Sequence, residues 1–401
     1  MINLEIPKRY AGLVDQAQGV AAQMFRPISR KYDRAEHEYP VELDTLGALL
    51  DGMNAGGEGA GVSKLSNKDA PDDGSVKNGR NLSAVLGMIE LCWGDVGLAL
   101  SLPRQGLGNA AIAAVANDEQ LERFGGCWAS MAITEPGAGS DSAAIRTRAV
   151  EDGDHYVLNG EKIYVTAGGR SDTVVVWATL DPKAGRAAIK SFVVPKGTPG
   201  MDVVRLDHKL GIRASDTATI HFTDCRVPKQ NLLGSPEIDT KRSFAGAMKT
   251  FDNTRPLVAA MAIGLARASL EETRELLAQA GVEVDYAAPA LQQHAAAARL
   301  LELEAEYEAA RLLTLQAAWM ADNNQPNSLQ ASMAKAKAGR VGTQVSLGCV
   351  ELVGALGYSE NSLLEKWARD AKILDIFEGT QQIQLLIIAR RLLGKSSSEL
   401  K

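Results

Sequence analysis

The densest run of residues able to do chemistry is Thr134-Glu135-Pro136-Gly137-Ala138-Gly139-Ser140-Asp141. Gly137 and Gly139 let backbone N–H groups approach a phosphate or a flat ring, and Ser140 adds a hydroxyl donor. Taken alone this is a weak signal, because a Gly-rich turn is usually only a turn. It is not a Walker loop, since no Gly-Lys-Ser/Thr follows. It is not a Rossmann fingerprint either, since it opens a β-rich stretch instead of a strand–helix unit. Three further segments stand out. One is Tyr164-Val165-Thr166-Ala167-Gly168-Gly169. Another is Lys209-Leu210-Gly211-Ile212-Arg213-Ala214-Ser215-Asp216-Thr217, followed by Arg226-Val227-Pro228 and Asn231-Leu232-Leu233-Gly234. The last is Arg369-Asp370-Ala371-Lys372-Ile373, then Ile376-Phe377-Glu378-Gly379-Thr380-Gln381-Gln382-Ile383-Gln384. Metal and disulfide chemistry have little support. Cys92, Cys127, Cys225 and Cys349 form no CxxC pair, and His37, His155, His208, His221 and His294 show no ligand spacing.

Elements of three textures must position these segments. Residues 1–125 read mostly helical, with helices predicted over Val41–Met53 and Leu82–Leu102 and a Gly/Ser/Asn/Asp-rich loop over Asn54–Gly79 between them. Residues 126–235 read as strands. Tyr156–Leu158 and Lys162–Val165 flank Asn159-Gly160, which predicts a hairpin turn there. Further β-rich runs follow at Thr173–Ala178, Ile189–Val194, Val203–Leu206 and Thr219–Phe222. Over residues 236–401 the helical period returns. Leu300, Leu303, Tyr307, Ala310, Thr314 and Ala317 share one face, with Glu302, Glu304, Glu306 and Glu308 as its solvated flank. Further helices are predicted at Leu329–Leu356 and Gln381–Leu393. Helices, then strands, then helices make an α+β chain of three domains and exclude an alternating α/β fold.

The bulk numbers narrow the class. A chain of 401 residues with 45% hydrophobic and 23% charged content has ample material for such cores. Its net charge of −6, with both signs interspersed, argues against a nucleic-acid surface. The Met-Ile-Asn-Leu-Glu start lacks the order of a signal peptide, and no apolar run approaches the ~20 residues of a membrane span. The expectation is a cytoplasmic protein.

The four segments, in this order and spacing, resemble those of the acyl-CoA dehydrogenases, and the resemblance extends over nearly the whole chain. It implies an N-terminal helical domain, a middle β-barrel or sandwich domain and a C-terminal four-helix bundle. It also implies FAD as cofactor, held by Thr134, Gly139, Ser140 and Thr166, with Thr166 beside the flavin N5 region. Tyr164 stands where the family often has Trp and keeps an aromatic lid. Thr380 and Gln382 would lie along the dinucleotide. Asp252 and Arg255 match positions that meet the pantetheine arm of the CoA thioester, although a local helix ion pair explains them nearly as well. Arg390 matches another arginine on the substrate side. Arg369 and Asp370 read as a structural brace.

The implied reaction removes an α-proton of low acidity while a hydride leaves Cβ for the flavin. Glu378 is the expected base, because a carboxylate does this only where a dry, apolar setting raises its pKa. Ile373, Leu374, Ile376 and Phe377 would supply that setting, and Gly379 would leave room for ligand. Some relatives place the base at the position of Thr254, where threonine cannot serve. The enolate-like carbonyl needs preorganised donors, for which the resemblance implies the Glu378 N–H and a ribityl hydroxyl.

Two stretches depart from the family pattern. The usual Arg-x-x-Phe-Gly, whose arginine reaches a neighbouring subunit's FAD, is replaced by Gln279-Ala280-Gly281-Val282-Glu283-Val284-Asp285-Tyr286. Glu351 stands where a Gln is usual, and Ala355 where a Gly is. Contacts to a subunit's own FAD are thus kept and those to its neighbour's are degraded. The expectation is a heteromer in which a related subunit supplies the missing arginine and an electron-transfer flavoprotein takes the electrons. An acyl-CoA oxidase and a scaffold subunit are the alternatives, and substrate length is not readable.

Overall fold

The computed structural model describes residues 6–55, 76–104, 106–238, 245–396 and 399, with the side chains of 49–55 and 245–253 left aside. Most of the Asn54–Gly79 stretch, predicted as a loop, therefore lies outside the described residues. Among the described residues the first helices are α1 (Ala11–Val20), α2 (Arg26–Arg34), α3 (Glu42–Ala55), α4 (Arg80–Gly94), α5 (Val96–Leu100), α6 (Leu107–Val115) and α7 (Asp118–Phe124). The single helix predicted over Leu82–Leu102 is two. Asp95 breaks it by leaving the helical region and capping α5, its side chain accepting from Leu98 N–H at 2.8 Å.

The strands that follow among the described residues are β1 (Ala129–Ala132), β2 (Arg148–Asp152), β3 (His155–Thr166), β4 (Thr173–Thr179), β5 (Ile189–Pro195), β6 (Met201–Leu206) and β7 (Thr217–Pro228). They form one sheet in the order β1-β4-β2-β3-β7-β6, with β5 added beside β4. The strand period of two is visible in β4, which is buried along its whole length. Val174, Val176 and Ala178 join Leu158, Phe192 and Ile220 in one core, while Val175 packs with Ile112 and Phe124 of α6 and α7.

The predicted hairpin at Asn159-Gly160 is a correction. Those residues lie inside the continuous strand β3, and the turn falls at Gly153-Asp154, between β2 and β3. The signal marked a bulge instead. Leu158 pairs with Cys225 and Gly160 with Phe222, so β7 carries one residue more than β3 across this stretch. Asn159 secures the irregularity by accepting from Asp224 N–H at 2.8 Å. A side chain at Gly160 would collide with Thr147, its Cβ 2.4 Å from the hydroxyl oxygen.

The last region holds α8 (Ala245–Gln279), α9 (Ala295–Asp322), α10 (Ser328–Val353), α11 (Ala355–Tyr358), α12 (Leu364–Ala371) and α13 (Gln381–Leu393). The long helices α8, α9, α10 and α13 make the expected bundle, with α10 touching the other three. One continuous core joins this bundle to the first helices, for Phe25, Leu86 and Ile89 pack with Ile263, Leu265 and Leu303. The glutamates flanking α9 pair with basic partners: Glu302 with Arg299, Glu304 with Arg274, Glu306 with Lys337 and Glu308 with Arg311. No described helix is long and apolar enough to cross a membrane.

Candidate active site

A chain of short contacts ties the four sequence segments together. The Thr134 carbonyl accepts from Ile163 N–H at 2.9 Å, which sets the Gly-rich loop against the end of β3. Asp216 accepts from Gly169 N–H at 2.8 Å through its side chain and from Ala167 N–H at 3.1 Å through its carbonyl. Asp370 in turn accepts from Ile212 N–H at 2.5 Å, and Arg369 donates to the Leu210 carbonyl at 3.0 Å. Gly211 lies flat against the Arg369 backbone, where a Cβ would come within 2.5 Å. The Arg369–Asp370 pair is thus a brace, as its place at a helix end suggested.

The loop end of this assembly is open. Gly139 and Ser140 are exposed, and Cβ atoms built on Gly137 or Gly139 would meet nothing within 4 Å. Tyr164 is 64% exposed and adopts a left-handed φ of 59°, leaving its ring outside the sheet core. Thr134 and Thr166 are half-buried near it. An exposed ring, two threonines and uncovered glycine backbone fit a flat aromatic cofactor such as FAD. Glu135 in this loop is inward-facing. It accepts from Thr147 N–H and hydroxyl at 2.9 and 2.6 Å and pairs with the buried Lys162 at 2.7 Å.

The second cluster surrounds Glu378, in the turn between the single-turn helix Lys372–Asp375 and α13. Leu374 is fully buried, and Ile373 and Phe377 pack on the helical core. Ile376 does not contribute as expected, being 46% exposed. Glu378 has a left-handed φ of 53° and Gly379 follows at 96°, so the chain turns sharply at Glu378. The φ of Gly379 is one that L side chains rarely adopt, and a Cβ there would also sit 2.4 Å from the Gln384 side-chain nitrogen.

Thr254 on α8 donates its hydroxyl to Glu378 Oε2 at 2.5 Å. Glu378 is half-buried as a residue, and protein atoms surround its carboxylate closely enough that desolvation raises its pKa. The Thr254 hydrogen bond and the charges of Lys335 and Arg255 oppose that rise. Gln384 donates to the carbonyls of both Glu378 and Gly379 at 3.2 Å. The buried oxygens Asp375 Oδ1, Gln381 Oε1 and Gln384 Oε1 accept no hydrogen bond within the chain.

Thr380 caps α13, its hydroxyl facing Ile383 N–H at 3.4 Å, and Gln382 is exposed. Arg255 is buried on α8 and Arg390 is half-buried on α13. The Asp252 side chain lies outside the described residues. Sequence reasoning missed Lys335 and Gln384 and read Thr254 only as an absent base. A lysine in Ala334-Lys335-Ala336-Lys337 carries no sign that it is the buried one. Tertiary structure also gathers Glu36, His37 and His208, whose ligand-type atoms lie within 4.8 Å of one another. The Glu36 oxygens are already engaged there by His208 at 2.8 Å and by Lys209 N–H at 2.9 Å.

Residues 130–225 match the family model described as acyl-CoA dehydrogenase, middle domain, and residues 244–393 match acyl-CoA dehydrogenase, C-terminal domain. The mitochondrial short-chain specific acyl-CoA dehydrogenase of Mus musculus is 34% identical over 401 residues, spanning 98% of this chain and 92% of that protein. The chain belongs to the acyl-CoA dehydrogenase family. It is therefore an oxidoreductase of a family whose members use FAD. Solved acyl-CoA dehydrogenase folds superpose over nearly its full length. Butyryl-CoA dehydrogenase from Megasphaera elsdenii is 30% identical, with a TM-score of 0.84 over 98% of this chain and 100% of that one. A chain in the structure of the electron transferring flavoprotein of Acidaminococcus fermentans matches equally well, at 29% identity and TM-score 0.84, over 98% and 100%.

Proposed function

We propose that this acyl-CoA dehydrogenase converts an acyl-CoA thioester to the trans-2-enoyl-CoA, with Glu378 as the base. The observation that carries the reading is the Glu378 carboxylate itself, desolvated, raised in pKa and fixed by Thr254. Glu378 takes the proton from Cα, and the electron pair left there forms the double bond as hydride departs from Cβ. FAD, when bound, supplies the hydride acceptor. Thr134, Gly139, Ser140, Tyr164, Thr166, Thr380 and Gln382 would hold it. Asp252, Arg255, Arg390 and Gly379 would line the thioester side. An electron-transfer flavoprotein is the acceptor this reading expects.

Glu378→Gln tests the assignment, since the amide keeps the shape and loses the basicity. Exchange of the acyl-CoA α-proton with solvent deuterium should fall by about 10²–10⁴-fold, the usual worth of a positioned general base. The flavin spectrum should be retained. Unchanged exchange would place the base elsewhere.

A second reading concerns assembly. Residues 279–286 carry no arginine, Glu283 and Asp285 are exposed there, and Glu351 is exposed near the end of α10. Carboxylates at both places would repel a pyrophosphate. We infer that a related subunit supplies the missing arginine, so that one FAD serves each pair of chains.

A further inference from the structure

Lys335 is a lysine without solvent. It sits in the middle of α10 and is fully buried, where an unpaired ammonium is costly. Its Nζ donates to the Gly379 carbonyl at 2.7 Å, the same oxygen that Gln384 holds at 3.2 Å. This carbonyl follows the two consecutive positive-φ residues, Glu378 and Gly379, so its direction fixes the turn that aims the base. Nearby Gly339, one turn further along α10, lets the Leu374–Asp375 backbone press in, for a Cβ there would lie 2.8 Å from the Leu374 carbonyl. A helix surface has thus been cut away to seat the turn, and a cation has been buried beneath it.

We propose that Lys335 is a positioning residue for the base, its ammonium anchoring the Glu378–Gly379 turn and its charge keeping the Glu378 carboxylate ionised. This rests on the reading of Glu378 as base and adds what makes that carboxylate usable near neutral pH. The charged groups acting on the pair come from three of the elements around it. Arg255 faces from α8, Asp375 from the turn, and Lys335 from α10, while Gln384 on α13 is neutral. Desolvation lowers the Lys335 pKa to about 8, with Asp375 and Glu378 pulling it up and Arg255 pushing it down. The ammonium is therefore charged at neutral pH and gives up its proton in mildly alkaline solution. Its hydrogen bond survives that change, because a neutral amine still donates.

Two variants separate anchor from charge. Lys335→Gln keeps a donor without charge, and Lys335→Met, of similar length, keeps neither. The readout is the pH profile of α-proton exchange of an acyl-CoA in deuterated buffer, in the FAD-loaded enzyme, with circular dichroism confirming the fold. Exchange needs ionised Glu378, so it rises as pH rises through the Glu378 pKa. Removing the neighbouring charge raises that pKa and moves the acid limb to higher pH. We expect both variants to shift the limb upward by about one pH unit, a tenfold loss on its acid side. For Lys335→Gln the difference from the parent should vanish as pH rises well past about 8, where Lys335 itself has lost its charge. Lys335→Met should in addition lower the plateau, by loosening the turn. Folded variants with an unmoved acid limb would overturn the proposal. A Glu378→Gln enzyme that still exchanges would instead sink the base assignment beneath it, so the two failures are distinguishable.

Discussion

At the scale of single residues, three groups oppose the desolvation of Glu378, and Thr254 is the nearest. Thr254→Val removes its hydroxyl while keeping the shape. Because that bond lowers the Glu378 pKa, the acid limb of turnover should move up by about one pH unit, with the alkaline plateau little changed. A pH–rate profile with the limb in its original place would show that the bond does not act on the ionised base. Stability should move the other way. A carboxyl whose folded pKa is raised binds more protons folded than unfolded between its ordinary and raised values, so its contribution to stability falls as pH rises through that window. Glu378→Gln, neutral throughout, should melt at a higher temperature than the parent near pH 7, and the gap should narrow below the ordinary carboxylate range. Calorimetry at several pH values would show whether the gap is pH-dependent.

At the scale of elements, close helix crossings depend on missing side chains. Gly264 of α8 faces α4 so closely that a Cβ would lie 2.2 Å from the Ile89 carbonyl. Gly264→Ala should force these helices apart and cost about 1–3 kcal/mol. Gly19 in α1 is the control, since its added Cβ would meet nothing within 4 Å. Gly19→Ala should be neutral or stabilise by up to about 1 kcal/mol, through helix propensity alone. Denaturant melts of both variants give the comparison, and equal effects would mean that crossing distance is not what Gly264 protects.

At the scale of the whole molecule, one buried ionic network joins distant parts of the chain. Lys366 on α12 meets Asp95, at the α4–α5 break, at 2.7 Å and Asp370 at 2.6 Å, all three almost fully buried. Ser29 of α2 also bonds Asp95, and Asp370 holds the Ile212 N–H before β7. Lys366→Met would leave two buried carboxylates facing each other and should destabilise the fold by about 3–5 kcal/mol. The chain would melt several degrees lower, while the Glu378 turn, held separately by Lys335 and Gln384, would keep its local geometry. Cofactor stoichiometry also belongs to this scale. The chain purified alone should hold well under one FAD per polypeptide, and co-expression with a related chain carrying Arg-x-x-Phe-Gly should restore it. One FAD per chain in a pure homo-oligomer would refute the shared site.

The helix–strand–helix order was legible in the sequence because it follows from local signals, a three-to-four-residue apolar period in the helices and short β-rich runs punctuated by Gly, Pro and Asp between them. The Gly-rich loop, the brace and the Glu378 turn were legible as segments, because each depends on residue types close together in the chain. Tertiary structure decided the rest. Asn159-Gly160 has the composition of a turn, yet pairing with β2 up to Asn159 and with β7 on either side of the bulge held it inside a strand, since local φ preference is weaker than backbone pairing with neighbouring strands. Lys335 and Lys337 are two residues apart on one helix. Only the packing of α10 against the Glu378 turn made the first a buried anchor and left the second paired with Glu306 at its surface. Which face of a helix is covered, and therefore which lysine is without water, depends on contacts that residue spacing does not encode.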